Sequence, residues 1–508
     1  MLFLFFHVRK RIQFLKIYYD LVNKYLGGVK MISFILAIIA LIVGYFIYGT
    51  IVEKVFGADE SIKTPAIRLA DGVDFVEMPQ WKIFLIQFLN IAGLGPIFGA
   101  IAGAMWGPVA FLWIVFGCIF AGGVHDYFSG MLSVRHDGAS IPEVVGKYLG
   151  KGFQNFMRVF SVIVLILVGV VFVTGPAGIL KSLTGLNLQM LIYIIFGYYM
   201  LATMVPIDKL IGKIYPIFGF CLLIMAVGIA GALIFGKMPI PEVTVSNLVN
   251  MHSNPGKNPI FPMLFITIAC GAISGFHATQ SPLMARCISS EKQGKSIFYG
   301  SMIVEGIVAL IWAAAAMSFF GGVPQLNATM AISSHTAAWV VNESSISLLG
   351  KVGGVLAILG VVACPITSGD TAFRSARLTI ADALKFNQGP IKNRFLISIP
   401  LFLIGFILTK MDFAIIWRYF GWSNQTLATI VLWTAGMYMV NIGKKHWMAT
   451  VPATFMTAVC TSYILIAPEG FQLSESISFT VGIIAAIVAM IIFLIAAKKV
   501  EVKKSVKM

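Results

Sequence analysis

About thirteen apolar runs, each long enough to cross a hydrocarbon core, divide this chain of 508 residues almost from end to end. Lipid offers no hydrogen bonds, so backbone groups inside a bilayer must be satisfied within the protein, which leaves only helices and closed barrels. The runs lack the two-residue alternation of barrel strands, so the barrel is excluded. Charged residues make up 11% of the chain and hydrophobic residues 58%, whereas a soluble protein carries roughly 25% charged residues. The chain therefore reads as an all-α polytopic membrane protein. Its runs lie near 32–52, 83–105, 108–133, 159–180, 188–206, 214–236, 259–286, 297–320, 350–376, 395–410, 412–441, 447–467 and 477–497.

The formal net charge is +16, and its distribution reflects topology rather than an anionic partner. Lys and Arg sit between runs or at the chain ends, with no basic stripe interleaved with aromatics, which argues against nucleic-acid binding. On alternate sides, Arg135, Lys147, Lys151, Arg374, Arg377, Lys444, Lys445 and the lysines after residue 497 gather on one face. That face is expected to be the cytoplasm, with a basic tail at 498–508. Residues 1–30 break the rule, because Arg9, Lys10, Arg11, Lys16, Lys24 and Lys30 would fall outside. The expectation is that 1–31 is an extension upstream of a start at Met31, or an accessory helix.

Two runs are interrupted by glycine and proline, at Gly93-Leu94-Gly95-Pro96 and at 270–282, which includes Gly271, Ser274, Gly275 and Pro282. A helix broken at membrane depth frees backbone groups that must face protein or a water-filled cavity, and paired breaks point to a carrier's binding site. The second break lies five runs after the first. With an odd repeat the second set enters from the opposite side, which gives an inverted-topology pair, 83–236 and 259–441. A peripheral helix at 32–52 and two C-terminal helices at 447–497 lie outside that five-plus-five core.

The chemistry concentrates at these breaks. In the first, Gly93, Gly95 and Pro96 offer backbone groups, with Asn90 one turn earlier; Gly99 and Gly103 equally suit a tight helix seam. In the second, Ser274, Gly275, His277, Gln280 and Ser281 form a substrate-binding candidate, and His277 titrates near physiological pH unless it merely bonds a freed carbonyl. Thr367, Ser368, Asp370 and Thr371 supply hard oxygen donors for a coupling cation, although Asp370 could instead exchange a proton or pair with Arg374. Glu305, alone inside its run, is a proton-relay candidate. His125 and Asp126 are expected near the cytoplasmic end of their run, as a gate or an interfacial anchor. All six cysteines lie in or beside apolar runs without CxxC spacing, and Cys270 and Cys364 read as small packing residues. No HExxH, GxSxG or complete phosphate loop occurs, so neither an enzyme nor a cofactor is expected. A passive channel would need a ring of like residues, and none is evident.

These segments resemble the carbon starvation protein A (CstA) family of bacterial inner-membrane transporters. The resemblance rests on Ala92-Gly93-Leu94-Gly95-Pro96-Ile97, on Gly122-Gly123-Val124-His125-Asp126-Tyr127 with Ser133 and Arg135, and on Asp137-Gly138-Ala139-Ser140-Ile141-Pro142-Glu143-Val144. It extends through Phe261-Pro262 to Gly275-Phe276-His277-Ala278 and to Asp370 with Arg374 and Arg377, covering roughly 32–445. It implies uptake of peptides or pyruvate during nutrient limitation, coupled to H+ or Na+, on a LeuT-like scaffold in the inner membrane.

Overall fold

The computed structural model of the chain describes residues 31–72, 75–202, 207–333, 335–388 and 390–505. The expected extension before Met31 lies outside the described residues. The first spanning helix, α1 (Ile32–Phe56), begins with its free N–H groups on a carboxylate: Glu242 accepts from Ile32 N at 2.7 Å and Ser33 N at 2.8 Å. It ends at Gly57, whose φ of 77° lets the chain leave the helix in a left-handed turn.

The core follows as two sets of five. The first comprises α2 (Gln80–Ile91) and α3 (Gly95–Trp106), which meet at 55°, then α4 (Val109–Arg135). After the short helix α5 (Ile141–Leu149), it continues with α6 (Lys151–Thr184), α7 (Leu188–Ala202) and α8 (Ile207–Phe235). The second opens with the short turns Ile260–Leu264 and Phe265–Thr267, an irregular stretch, and α9 (Gly275–Ala285). It continues with α10 (Glu291–Phe319), the pair α11 (Ala337–Leu356) and α12 (Leu359–Leu384) meeting at 60°, then α13 (Ile391–Leu408) and α14 (Phe413–Asn441). Two further helices, α15 (Trp447–Ile466) and α16 (Glu475–Ser505), follow the core, and α16 runs on through most of the basic tail.

Every apolar run of the sequence corresponds to helical structure. Among the described residues eight helices are long and apolar enough to span, or ten when each bent pair is one span. The other three runs depart from that standard for physical reasons. Helix α7 has only 15 residues, the run at 259–286 is broken, and α14 carries Arg418, Ser423, Asn424 and Gln425 within its length. The segment 321–349, for which the sequence suggests a partly ordered cap, contains the helix Val323–Met330 and most of α11, so the run at 350–376 is itself bent.

Both breaks differ in extent from the sequence reading. The first falls at Ala92–Leu94, and Gly95 and Pro96 already open α3. The second is confined to 268–274, so His277, Gln280 and Ser281 stand on the first turns of α9 rather than in an interruption. A proline at 282 did not extend the break, because the side chains of α14 pin the start of this half-helix, as shown below.

The two breaks pack directly against each other. A Cβ on Gly95 would lie 2.2 Å from Cys270 Cβ, and one on Gly99 would lie 2.9 Å from the Thr267 carbonyl oxygen. The small face of α3 thus seats the first arm of the second break, as close helix approach in a membrane requires. On the far side, Gly122 of α4 admits the Ala272 carbonyl, where a Cβ would sit 2.2 Å from the oxygen.

Gly122→Ala is therefore expected to destabilise by about 1–3 kcal/mol, because the obstacle is backbone rather than a movable side chain. Gly178→Ala on α6, where a Cβ meets nothing within 4 Å, is expected to be neutral or stabilising by up to about 1 kcal/mol. Thermal unfolding of the two purified variants checks the pair.

Candidate functional site

At each break the freed backbone groups find side chains from neighbouring helices. The Leu89 and Ala92 carbonyls at the end of α2 face α12: Ser368 Oγ donates to Leu89 O at 2.9 Å, and Cys364 Sγ to Ala92 O at 3.3 Å. In the second break, Trp113 Nε1 donates to Ile268 O at 3.2 Å and Cys118 Sγ to Gly271 O at 3.1 Å, both from α4. From α14, Gln425 Nε2 donates to Ile273 O at 3.0 Å, and Asn424 Oδ1 accepts from Phe276 N at 2.6 Å. Asn424 Nδ2 also donates to Ser274 Oγ at 2.9 Å. Cys270 and Cys364, read as packing residues, do pack, and Cys364 bonds a carbonyl as well.

Beside these ties, four titratable side chains form a fully buried chain. His277 Nδ1 lies 2.8 Å from Asp126 Oδ2, and Asp126 Oδ1 lies 2.7 Å from His125 Nδ1. On its other side, His277 Nε2 faces Glu305 Oε2 at 3.3 Å, within ion-pair reach though not aligned as a hydrogen bond. All four residues have 0% exposure. The elements that hold them are α4, α9 and α10, and Glu305 stands at the middle of α10. Ser281 Oγ donates to His277 O at 2.9 Å and accepts from Ser129 Oγ at 3.1 Å, which fixes α9 against α4.

The hydrogen count of this chain is constrained by geometry. A neutral imidazole has one N–H, so one of the two contacts of His277 would set a lone pair against a carboxylate oxygen. Either His277 is an imidazolium or one of the two carboxyls holds a proton. The pair of carboxylates and their shared imidazole can therefore pass a proton over a few ångströms, with no change of partners.

The other expected residues separate into two groups. Asn90 is buried on the last turn of α2, and neither its side-chain oxygen nor its nitrogen has a protein partner. Gln280 on α9 is likewise buried, with Oε1 unpartnered and Nε2 reaching Ser375 Oγ at 3.4 Å. These amides, with His125 Nε2 and Glu305 Oε1, are polar atoms that a ligand or water would satisfy. Next to Gln280 a cavity of about 30 Å³, enough for a water, opens among Ser161, Thr279, Arg286, Ser375 and Thr379. By contrast, Ser274 is engaged by Asn424, and Gly275 lets α9 approach α14, where a Cβ would lie 2.4 Å from Asn424 O. Gly93 accommodates the Phe172 ring.

The expected cation cluster is buried on α12, where its hydroxyls donate to carbonyls and keep their oxygen lone pairs. Thr367 Oγ1 donates to Cys364 O at 2.7 Å, Thr371 Oγ1 to Ser368 O at 2.8 Å, and Ser368 to Leu89 O. Asp370 Oδ2 lies 3.7 Å from Arg374 Nη2, the pairing weighed against cation binding. His125 and Asp126 are displaced from their expected setting. They lie about ten residues, or roughly 15 Å of helix, before Arg135, and they meet His277 in the interior rather than an interface. The physical reason is that the helix continues through Gly123–Arg135 after a π-helical stretch at Cys118–Gly122, so both residues lie within α4 rather than at its end.

Sequence reasoning passed over Gln87, whose side-chain atoms are buried and unpartnered one turn before Asn90, and over Asn424 and Gln425. The signal was available: an adjacent amide pair in the middle of an apolar run is the same anomaly that marked 274–281.

The paired broken helices and the two sets of five give the chain a LeuT-like membrane fold. The chain belongs to the CstA family: the family described as "Carbon starvation protein CstA" matches residues 29–175, 175–350 and 321–463. An uncharacterized membrane protein of Haemophilus influenzae is 44% identical over 342 residues, covering 58% of this chain and 92% of that one. The "Peptide transporter CstA" of Escherichia coli is 23% identical over 575 residues, covering 87% and 81%. The "Pyruvate/proton symporter BtsT" of the same organism is 28% identical over 332 residues, covering 53% and 46%. A solved manganese transporter of Eremococcus coleocola shares the fold, with a TM-score of 0.54 at 13% identity over 85% of this chain and 99% of that one. The chain is a multi-pass membrane transporter, not an enzyme.

Asn424→Ala would leave Phe276 N–H and the Ser274 hydroxyl without this partner at bilayer depth. A loss of about 1–3 kcal/mol is expected, read as a lowered unfolding midpoint in detergent. Thr454→Ala, which removes a hydroxyl bonded to its own helix, should change stability by less than about 0.5 kcal/mol.

Proposed function

We propose that this protein takes up small organic nutrients, peptides or a monocarboxylate such as pyruvate, by proton symport across the bacterial inner membrane during carbon starvation. The core rocks between outward- and inward-open states around the paired breaks, with the C-terminus in the cytoplasm. One observation carries the coupling: His277 is bracketed by Asp126 and Glu305, so a proton is shared in a chain sealed from water. The unpartnered amides of Asn90 and Gln280 suit an amide or a carboxylate on the substrate. A proton is favoured over sodium because Arg374 beside Asp370 opposes a second cation there. Among relatives, the pyruvate/proton symporter supports that choice, and the peptide transporters support an amide-bearing substrate.

Proteoliposomes loaded at high pH and diluted into acidic buffer are expected to accumulate labelled pyruvate or dipeptide, with no response to an imposed sodium gradient. Glu305→Gln should cut gradient-driven accumulation roughly tenfold or more while leaving substrate counterflow, which needs no net proton movement. Accumulation driven by sodium, or counterflow lost together with accumulation, would sink the proton reading.

A further inference from the structure

Away from the carrier core, α5, α6, α14 and α16 enclose an apolar groove of about 300 Å³. Its lining includes Leu149, Phe153, Trp433, Met437, Phe493 and Ala496. The two polar atoms its aromatics carry are turned elsewhere: Trp433 Nε1 donates to Thr457 Oγ1 at 3.1 Å, and Tyr148 OH meets His136 Nε2 at 2.7 Å. Nothing in the groove calls for a polar occupant. Phe153 and Ile492 remain 50% and 61% exposed, so the groove opens sideways toward lipid.

One end of this groove is strongly basic. Along α16 the lining residues Ala489, Ile492, Phe493 and Ala496 follow helical spacing, and the next positions on that stripe are Lys499 and Val500. On the opposite wall, Lys147 and Lys151 flank Tyr148 and Leu149. The loop before α15 completes the rim: His446 packs on Phe493 at 5.0 Å between ring centroids, and Lys444 and Lys445 precede it. All five lysines are exposed, and Glu501 is the acidic group near His446. Burial, and then the charge on Lys147, holds the His136 imidazole below its usual range, so the positive charge of the rim rests on the lysines.

A hydrocarbon-lined slot in a bilayer, ending in a cluster of ammonium groups, matches one class of molecule. The geometry points to a bound anionic phospholipid, with an acyl chain lying against Trp433 and Phe493 and its phosphate met by Lys147, Lys151 and Lys499. Charge complementarity at the headgroup end selects the lipid, and the apolar lining holds it. Because Trp433 and Met437 belong to α14, the lipid braces the same helix whose Asn424 and Gln425 secure the second break.

The test uses the full chain in nanodiscs of mixed phosphatidylcholine and phosphatidylglycerol, released into detergent and weighed by native mass spectrometry. Retention of phosphatidylglycerol over phosphatidylcholine is expected. Ala496→Trp should abolish retention by filling the slot, and the triple variant Lys147→Gln, Lys151→Gln, Lys499→Gln should weaken the preference roughly tenfold or more. The lysines are exposed, so the triple variant tests the proposal even if the tryptophan variant fails to fold. Equal retention of both lipids, a preference untouched by the lysine changes, or a dimer of this chain dissociated by Ala496→Trp would overturn it.

Discussion

The constraint on which the rest of this structure depends is the hydrogen bonding of backbone released where two helices break inside a bilayer. Each orphaned carbonyl or N–H there costs more than in water, since no solvent stands in for a missing partner. The protein answers with Ser368 and Cys364 at the first break, and with Trp113, Cys118, Asn424 and Gln425 at the second. These bonds also set the packing. They draw α12 against α2, and α4 and α14 against α9, so the helices that repair the breaks are the walls of the site.

What that repair leaves over is equally informative. A core this well satisfied still contains Gln87, Asn90, Gln280 Oε1 and His125 Nε2 without protein partners. It also keeps four titratable groups at zero exposure. Burial of charge is costly unless every partner is in place, and an apolar replacement would pack as well without that cost. The Asp126–His277–Glu305 chain is therefore poor as a stabilising device, which fits the coupling role proposed for it.

Much of the fold was legible because membrane helices announce themselves by length and composition. The spacing of the breaks then gave the repeat. The limits of the breaks were not legible, because Pro282 and the polar residues after Ser274 look like interruption until Asn424 is known to cap Phe276 N–H. The site was half visible. His277, Glu305 and Asp126 each stood out as an ionisable residue in an apolar run, but their meeting depends on α4 packing against α9 and α10, far later in the sequence. Around Asp370 the sequence showed the oxygen-rich spacing but not that the neighbouring hydroxyls donate to carbonyls within their own helix.

The two breaks are unequally held, and this asymmetry bears on how the molecule can move. Ser368 Oγ lies 2.9 Å from Leu89 O but also 3.0 Å from Cys364 O, the carbonyl one turn back on its own helix. If α2 withdraws from α12, that hydroxyl keeps a partner, and only the Leu89 and Ala92 carbonyls on the α2 side lose theirs. Asn424 has no comparable substitute: its amide accepts from Phe276 N and donates to Ser274 across the α9–α14 seam. Separation there would strand buried groups on both sides. The seam between α2 and α12 is thus the cheaper one to open, while α9 stays with α14. Opening it would part Ser368 from the last turn of α2, the turn that carries Asn90, without disturbing the His277 contacts that hold the proton.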